Sequence, residues 1–466
     1  MTGQTISRRF STLLAATAVG VYLLVVVGAT TALTDAVAAC STWPACNGQW
    51  LPQLGEPKLA IAWGHRVAAM AVGVLLLATL VVGWRDADRR RVRLSLGLAA
   101  ALYPVQIGLG AFAATTGGVA TLSAIHLLVG MAIFSGVVLA LAWTLEPETP
   151  DDPTGFAEPE PLSEDGPAPT FDEPTTALDR VKRTANAYFR LMKPRLMWLL
   201  CLVASAGMAL AAGPALRVET VVATLAGGVL SIGASGTFNH VLERDVDEKM
   251  SRTNDRPTVT HQVPVRNALV FGFALAALSV GVFLTVNVLA AILGLFAIFF
   301  YSVVYTLMLK PNTVQNTVIG GFAGALPALI GWAAVTGDVG VPALVLSGVI
   351  FMWTPAHFYN LALAYKDDYA RGGFPMMPVV RGEAVTRKHI LLWLGATLLS
   401  ASLLSTVTTL GWLFAATSVV FGTVFLWAVV RLHRERTERA AFRSFHASNA
   451  YLGALLLAVV ADALVV

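Results

Sequence analysis

Asn239-His240-Val241-Leu242-Glu243-Arg244-Asp245-Val246-Asp247-Glu248-Lys249-Met250-Ser251-Arg252-Thr253-Asn254-Asp255-Arg256-Pro257 is where a hydrophobic segment runs into a dense block of polar and charged residues. Asn239, Glu243 and Asp247 fall at i, i+4 and i+8. On a helix each four-residue step turns through about 400°, so the three oxygen-bearing side chains share one face at intervals of roughly 6 Å. Asp245 points away from that face. Arg252 and Arg256 follow, and Pro257 ends any helix there. Oxygen ligands for a hard divalent cation beside guanidinium groups suit a diphosphate bridged by Mg²⁺. A solvated loop flanking a membrane helix is the plainer alternative for the same residues.

Outward from this stretch the chain is overwhelmingly apolar. Only 13% of its 466 residues are charged and 56% are hydrophobic, with a mean hydropathy of +0.69. Soluble domains average about 25% charged residues, so a chain this long and this poor in charge is expected to be an all-α polytopic membrane protein. The net charge of +4 carries little information compared with where the charges lie. The first apolar run is too long for the core of a cleavable signal and is expected to stay as a membrane helix.

Apolar segments near 11–34, 59–83, 95–114 and 120–143 are each long enough to cross a bilayer. From Glu146 to Asp179 the chain is rich in Glu, Asp, Pro and Thr and holds no Lys or Arg, which reads as a disordered linker. Nine further candidates follow near 194–213, 219–240, 268–287, 289–308, 316–336, 341–363, 390–409, 412–431 and 446–464. The expected organisation is a four-helix transmembrane bundle over residues 1–144, an acidic Pro-rich linker over 145–183 and a nine-helix bundle over 184–466.

Basic residues orient the helices. Arg8 and Arg9, the group from Arg85 to Arg93, and the group from Arg180 to Arg195 all belong on the cytoplasmic side. Counting crossings onward, loops 241–267, 309–315, 364–389 and 432–445 reach that same side, and each carries Lys or Arg. The expectation is a multi-pass protein of the cell membrane. Its N-terminus, linker and acidic motifs face the cytoplasm, and its C-terminus lies outside with the loop holding Cys40 and Cys46.

A second polar cluster, Tyr365-Lys366-Asp367-Asp368-Tyr369-Ala370-Arg371-Gly372-Gly373-Phe374-Pro375-Met376-Met377-Pro378, shares the cytoplasmic side with the first. The two can converge on one diphosphate through two or more cations. Lys310, at another cytoplasmic helix end, is placed to help neutralise the charge of a departing diphosphate. The surrounding helices offer the water-poor chamber that an allylic carbocation requires.

The pattern Asn239-x3-Glu243-x3-Asp247-x2-Met250-x-Arg252-Thr253-x2-Arg256-Pro257 resembles the first signature of the UbiA-type intramembrane prenyltransferases. Within them it is similar to the haem O synthase branch, the protohaem IX farnesyltransferases. The resemblance covers about residues 184–466. It extends to Lys193-Pro194-Arg195, Lys310 with Thr313, Gly324-Ala325-Leu326-Pro327, Trp353-x3-His357-Phe358, Asp368-Tyr369 and Pro375-Met376-Met377-Pro378. It implies transfer of the farnesyl group of farnesyl diphosphate to a vinyl group of haem B, with water adding a hydroxyl, to give haem O for terminal oxidases. It further implies that Asn239, Glu243, Asp247 and Asp368 bind Mg²⁺ and diphosphate, with Arg252, Arg256, Lys310, Lys193 and Arg195 as diphosphate contacts. Many relatives carry Asp where Glu243 stands. His357 is either a ligand to the substrate haem or a helix-packing histidine. Gly320, Gly321 and Gly324 are expected to allow close helix packing. The alternatives are a prenyltransferase for a quinone or lipid acceptor and a non-enzymatic haem-binding assembly factor.

In the first four helices His65 and His126 each lie a few residues inside the outer end of a helix. Equal depth is what an axial haem pair requires. Cys40 and Cys46 bracket a short outer loop where a disulfide can form. Cys40-x2-Trp43-Pro44-x-Cys46 with Asn47-Gly48, His65-Arg66, Gln106-x2-Leu109-Gly110 and His126-Leu127 is similar to one half of haem A synthase. The usual enzyme has two such halves, and its acidic residue three positions before the first His is Ala62 here. The resemblance implies haem binding and a link to conversion of haem O to haem A. Expected partners are farnesyl diphosphate, haem B and the lipid bilayer. Haem A synthase or terminal oxidase assembly factors, and a second copy joined through the N-terminal domain, extend that set. Nucleic acid is not expected.

Overall fold

The structure, a computed structural model, describes residues 2–33, 36–53, 55–87, 89–117, 120–146 and 176–465. Most of the expected linker, residues 147–175, lies outside the described residues. The described fold is all-α. Thirteen of its helices are long and apolar enough to cross a membrane, the number expected from hydropathy, and the chain is a multi-pass membrane protein.

The first four spanning helices are α1 (Thr2–Leu33), α2 (Pro57–Asp86), α3 (Arg90–Thr116) and α4 (Ala120–Leu145). Next comes α5 (Ala177–Leu191), a helix too polar to span. Thr176 caps it by accepting from the Asp179 amide at 3.1 Å. Residues 177–183 are therefore helical, where the sequence reading extended the disordered linker. A local capping signal outweighed the polar composition there.

The remaining spanning helices are α6 (Pro194–Ala212), α7 (Val218–Leu242), α9 (Val265–Leu284), α10 (Val288–Phe299), α11 (Asn316–Thr336), α12 (Val341–Ala364), α15 (Glu383–Thr406), α16 (Trp412–Glu435) and α17 (Glu438–Val465). Between them are three short helices on loops, α8 (Arg244–Asp247), α13 (Lys366–Arg371) and α14 (Met377–Val380). The α10 helix continues as a wider π turn over Phe300–Leu309.

The described chain divides into two compact units. One holds residues 1–150 and 387–458, and the other holds 151–386 and 459–466. The division differs from the expected domains 1–144 and 184–466, because most of α15 to α17 packs with the first four helices. Tyr22 of α1 hydrogen-bonds Ser418 of α16 at 2.5 Å, and Arg387 of α15 donates to Glu146 beyond α4 at 2.5 Å. Both contacts join residues hundreds of positions apart, which local hydropathy cannot register.

In the second unit small residues bring helix backbones together. A Cβ at Gly207 of α6 would collide with the Ala328 carbonyl of α11, and one at Gly331 with the Ala204 carbonyl. Gly320 and Gly321 likewise face Tyr305 and Thr354 directly, whereas Gly324 has ordinary clearance. Around this contact α6, α7, α11 and the α10 helix with its π continuation line an apolar chamber.

Candidate active site

The acidic ladder crosses a helix end. The α7 helix stops at Leu242, Glu243 turns the corner with ψ near 6°, and Asp247 closes the single turn of α8. The i to i+4 spacing survives this break. The Glu243 amide donates to the Asn239 carbonyl at 3.0 Å and the Asp247 amide to the Glu243 carbonyl at 2.8 Å. All three ladder residues are buried, with Asp247 fully so. Helical structure ends well before Pro257, and residues 248–262 fold back as turns.

Each ladder residue meets a cation. Lys310 donates to Glu243 at 2.5 Å, and Arg256 pairs with Asp247 and lies 3.7 Å from the other Glu243 oxygen. Lys193 donates to the Asn239 side-chain oxygen and lies 3.4 Å from the Tyr301 hydroxyl. Lys193 sits in the left-handed region at φ 55°, between α5 and Pro194 of α6. Such a conformation costs a residue with a side chain about 1–2 kcal/mol. It is retained where it turns the lysine onto Asn239.

These contacts set the local electrostatics. Burial, with Arg256 and Lys310 nearby, pulls the Lys193 ammonium down to about 7. Burial pushes Glu243 upward, but Lys310, Lys193 and Arg256 outweigh it and hold the carboxyl below its usual range. Asp247 is raised because burial and Glu243 outweigh Arg256. Its Oδ2 is held by Arg256, while Oδ1 is buried with no hydrogen-bond partner.

The second cluster is fastened to the first through the 248–256 segment. Asp368 of α13 accepts from the Ser251 hydroxyl at 2.8 Å, from the Ser251 and Arg252 amides at 3.2 and 3.1 Å, and from Arg371. Burial pushes its carboxyl up, but these hydrogen bonds outweigh burial and leave it lowered. The Arg252 guanidinium lies 5.0 and 5.3 Å from the Tyr365 and Tyr369 rings. Lys310 also sits 4.3 Å over the Phe374 ring.

Thus the structure gathers Asn239, Glu243, Asp247, Lys193, Lys310 and Arg256, and docks Asp368 on the turn leading to Arg256. It leaves Arg195, Asp245 and Asp367 exposed. His357 is buried in α12, stacked on Trp353 at 4.2 Å and edge-on to Phe358, and it does not line the chamber. Tyr301, Thr306, Ser251 and Arg371 belong to the site although sequence reading passed over them. The π turn brings the first two in: Asn239 donates to Thr306 at 3.2 Å, and Thr306 to the Tyr301 carbonyl five residues back at 2.9 Å.

Among the described residues no three His, Cys, Asp or Glu side chains form a ready metal cage. The donors nevertheless suit Mg²⁺. They are oxygens one helical turn apart, one of them unpartnered, and Mg²⁺ characteristically combines one or two carboxylates with substrate phosphate oxygens.

Lys193, bonded to Asn239 of the ladder, also lines the apolar chamber, together with Tyr301, Leu200, Ile232, Gly228 and Ile330.

In the first unit Cys40 and Cys46 are joined as a disulfide, and the Trp43-Pro44 peptide is cis. Arg66 organises their loop by donating to the Cys40 and Thr42 carbonyls at 2.6 and 2.7 Å. Its neighbour His65 faces Gly28, and His126 faces Gly110, so each ring has a glycine opposite it. The Nδ1 atoms of both histidines are buried without hydrogen bonds, and Gln106 lies 3.2 Å from Nε2 of His126.

Comparison with known proteins gives a consistent pattern. Residues 199–453 match the UbiA prenyltransferase family and residues 11–163 match the cytochrome oxidase assembly protein family COX15-CtaA. The chain is 64% identical to a protoheme IX farnesyltransferase of Haloarcula marismortui over 98% of its own length and 99% of the relative's. A protoheme IX farnesyltransferase of Saccharopolyspora erythraea is 45% identical over 60% of this chain and 90% of its own length. A solved digeranylgeranylglyceryl phosphate synthase superposes with a TM-score of 0.52 at 14% identity, covering 61% of this chain and 99% of that one. The last likeness concerns the fold alone.

Proposed function

The chain belongs to the protoheme IX farnesyltransferases of the UbiA prenyltransferase family, and on that premise we propose that its buried ladder transfers farnesyl from farnesyl diphosphate to haem B. The observation that carries this reading is a buried cluster of paired acids and bases joined through Lys193 to an apolar chamber. The diphosphate binds among Lys193, Lys310 and Arg256. Asn239, Glu243 and Asp247 would hold Mg²⁺, with Asp368 beside them. When bound, Mg²⁺ neutralises the charge gathering on the leaving diphosphate.

The farnesyl C1–O bond breaks, and the diphosphate departs with the electron pair. The terminal carbon of a haem vinyl group bonds to C1. Water then adds to the adjacent vinyl carbon and releases a proton, giving the hydroxyl of haem O. The residues here bind and orient. Lys310 and Arg256 exchange their carboxylate partners for phosphate oxygens, and the chamber excludes water from the allylic cation. Arg252 and Asp368 hold the 248–256 segment over the site and thereby position Arg256.

His65 and His126 bind haem in the first unit; their unpartnered ring nitrogens and facing glycines support this assignment. That unit assists or carries out the step from haem O to haem A. The acidic motifs and the N-terminus face the cytoplasm, and the C-terminus faces outside.

A competition assay tests the acceptor. Membranes holding the chain are given farnesyl diphosphate, Mg²⁺, haem B and a phenolic quinone precursor together. Prenylated haem in excess of prenylated phenol is the expected outcome. Transfer to the phenol alone overturns the reading.

A further inference from the structure

The four glycines of α7 separate into two kinds. A Cβ added at Gly227, Gly233 or Gly236 of α7 would meet Phe283, Met192 or the Leu191 carbonyl within 3 Å. These positions are small because a neighbour occupies the space. Gly228 is different: a Cβ there meets nothing within 4 Å, yet the residue lines the chamber. The space in front of Gly228 is the chamber itself.

The chamber follows one face of α7. Its lining residues on that helix are Gly236 and Ser235, then Ile232 and Ser231, then Gly228, then Leu225 and Thr224. They recur every three to four residues, so they form a stripe along the axis. At the Gly236 end lie Lys193 and Tyr301, the former bonded to Asn239 of the ladder. At the other end Thr224 is buried with its hydroxyl unpartnered. Gly236 to Thr224 is a span of twelve residues, roughly 18 Å of helix.

An isoprenoid chain matches this spacing. Each isoprene unit adds four carbon–carbon bonds, roughly 5 Å of extended length, against a helical pitch of about 5.4 Å. With the diphosphate at the ladder, the first unit lies between Gly236 and Ile232 and the second reaches Gly228. A third unit must pass Gly228 to reach Thr224.

Resting on the farnesyl-transfer reading, we propose that the α7 stripe is a turn-by-turn ruler for the prenyl donor and that Gly228 is its specificity-determining position. The missing side chain at Gly228 leaves room for the third isoprene unit. A side chain there closes the slot after two units and selects a geranyl donor.

The test compares the full chain with its Gly228→Leu, Gly228→Ala and Gly281→Leu variants. Gly281 on α9 also has open space before it but does not line the chamber, so it controls for a bulky substitution in a helix. Each protein is given equimolar farnesyl and geranyl diphosphate with Mg²⁺ and haem B, and products are separated by mass. Affinities for the unreactive thiolo analogues of both donors are measured alongside. The expected result is a fall of at least tenfold in farnesyl over geranyl preference for Gly228→Leu, a smaller fall for Gly228→Ala and none for Gly281→Leu. Should Gly228→Leu fail to fold, the direction of the Gly228→Ala shift decides. An unchanged donor preference in the Gly228 variants overturns the ruler. A parent chain that binds the farnesyl analogue but makes no prenylated haem overturns the transfer reading instead, and the affinity ratios still judge the ruler.

Discussion

Lys310 and Glu243, 67 residues apart, meet at 2.5 Å where α7 ends, and both are largely withdrawn from solvent. The pair turns a carboxylate on one helix and an ammonium beyond another into a single unit beside Asn239 and Asp247. Removing the cation leaves Glu243 with only the longer approach of Arg256 at 3.7 Å and removes one proposed diphosphate contact. Lys310→Met is expected to slow farnesyl transfer by about 100-fold or more, the usual scale for one preorganised charge contact. Lys310→Arg should recover part of that loss. Initial rates at saturating farnesyl diphosphate are the check.

Asp247 combines an ion pair at Oδ2 with an unpartnered Oδ1. Asp247→Asn keeps the shape while removing the charge. It should weaken the apparent Mg²⁺ requirement curve by at least tenfold, leaving the thermal unfolding midpoint within a few degrees. An unchanged Mg²⁺ titration in the folded variant contradicts the assignment.

His65 and His126 are expected to act apart from the ladder. His65→Ala and His126→Ala should each abolish or strongly alter the visible spectrum of haem held by the purified chain. Farnesyl transfer to added haem B should stay within about twofold. A normal haem spectrum in both variants removes the axial-ligand assignment.

Glu146 and Arg387 form a buried pair at 2.5 Å, with Arg436 3.7 Å from the second Glu146 oxygen. Breaking a buried pair from one side typically costs about 3–5 kcal/mol, whereas replacing both partners by apolar residues is often neutral. Glu146→Gln should therefore lower the unfolding midpoint in detergent clearly more than the double variant Glu146→Leu with Arg387→Met.

The legible and the hidden parts of this molecule divide by range. Asn239, Glu243 and Asp247 declare themselves because a four-residue step is a local property of helices, and it survives even the break at Glu243. Span count follows from composition in the same way. The Asp368 environment does not, since its partners Ser251 and Arg252 are more than a hundred residues away. Glu146 looked like the first residue of an acidic linker, and only its pairing with Arg387 shows why it is buried. The α5 helix was readable from Thr176-x2-Asp179, but the long acidic stretch before it masked the signal. His357 is open by type to two readings, haem ligand or helix packing, and its stacking on Trp353 is visible only in the fold. Gly228 is indistinguishable from its packing neighbours until the space before each is known.

The most direct measurement is the mass of the porphyrin product made by purified chain from farnesyl diphosphate, Mg²⁺ and haem B, beside the Asp247→Asn variant. Farnesyl transfer to haem predicts a product heavier than haem B by a farnesyl group and a hydroxyl, formed by the parent chain and at least about 100-fold more slowly by the variant. Unmodified haem B from a folded, donor-binding parent chain would contradict it.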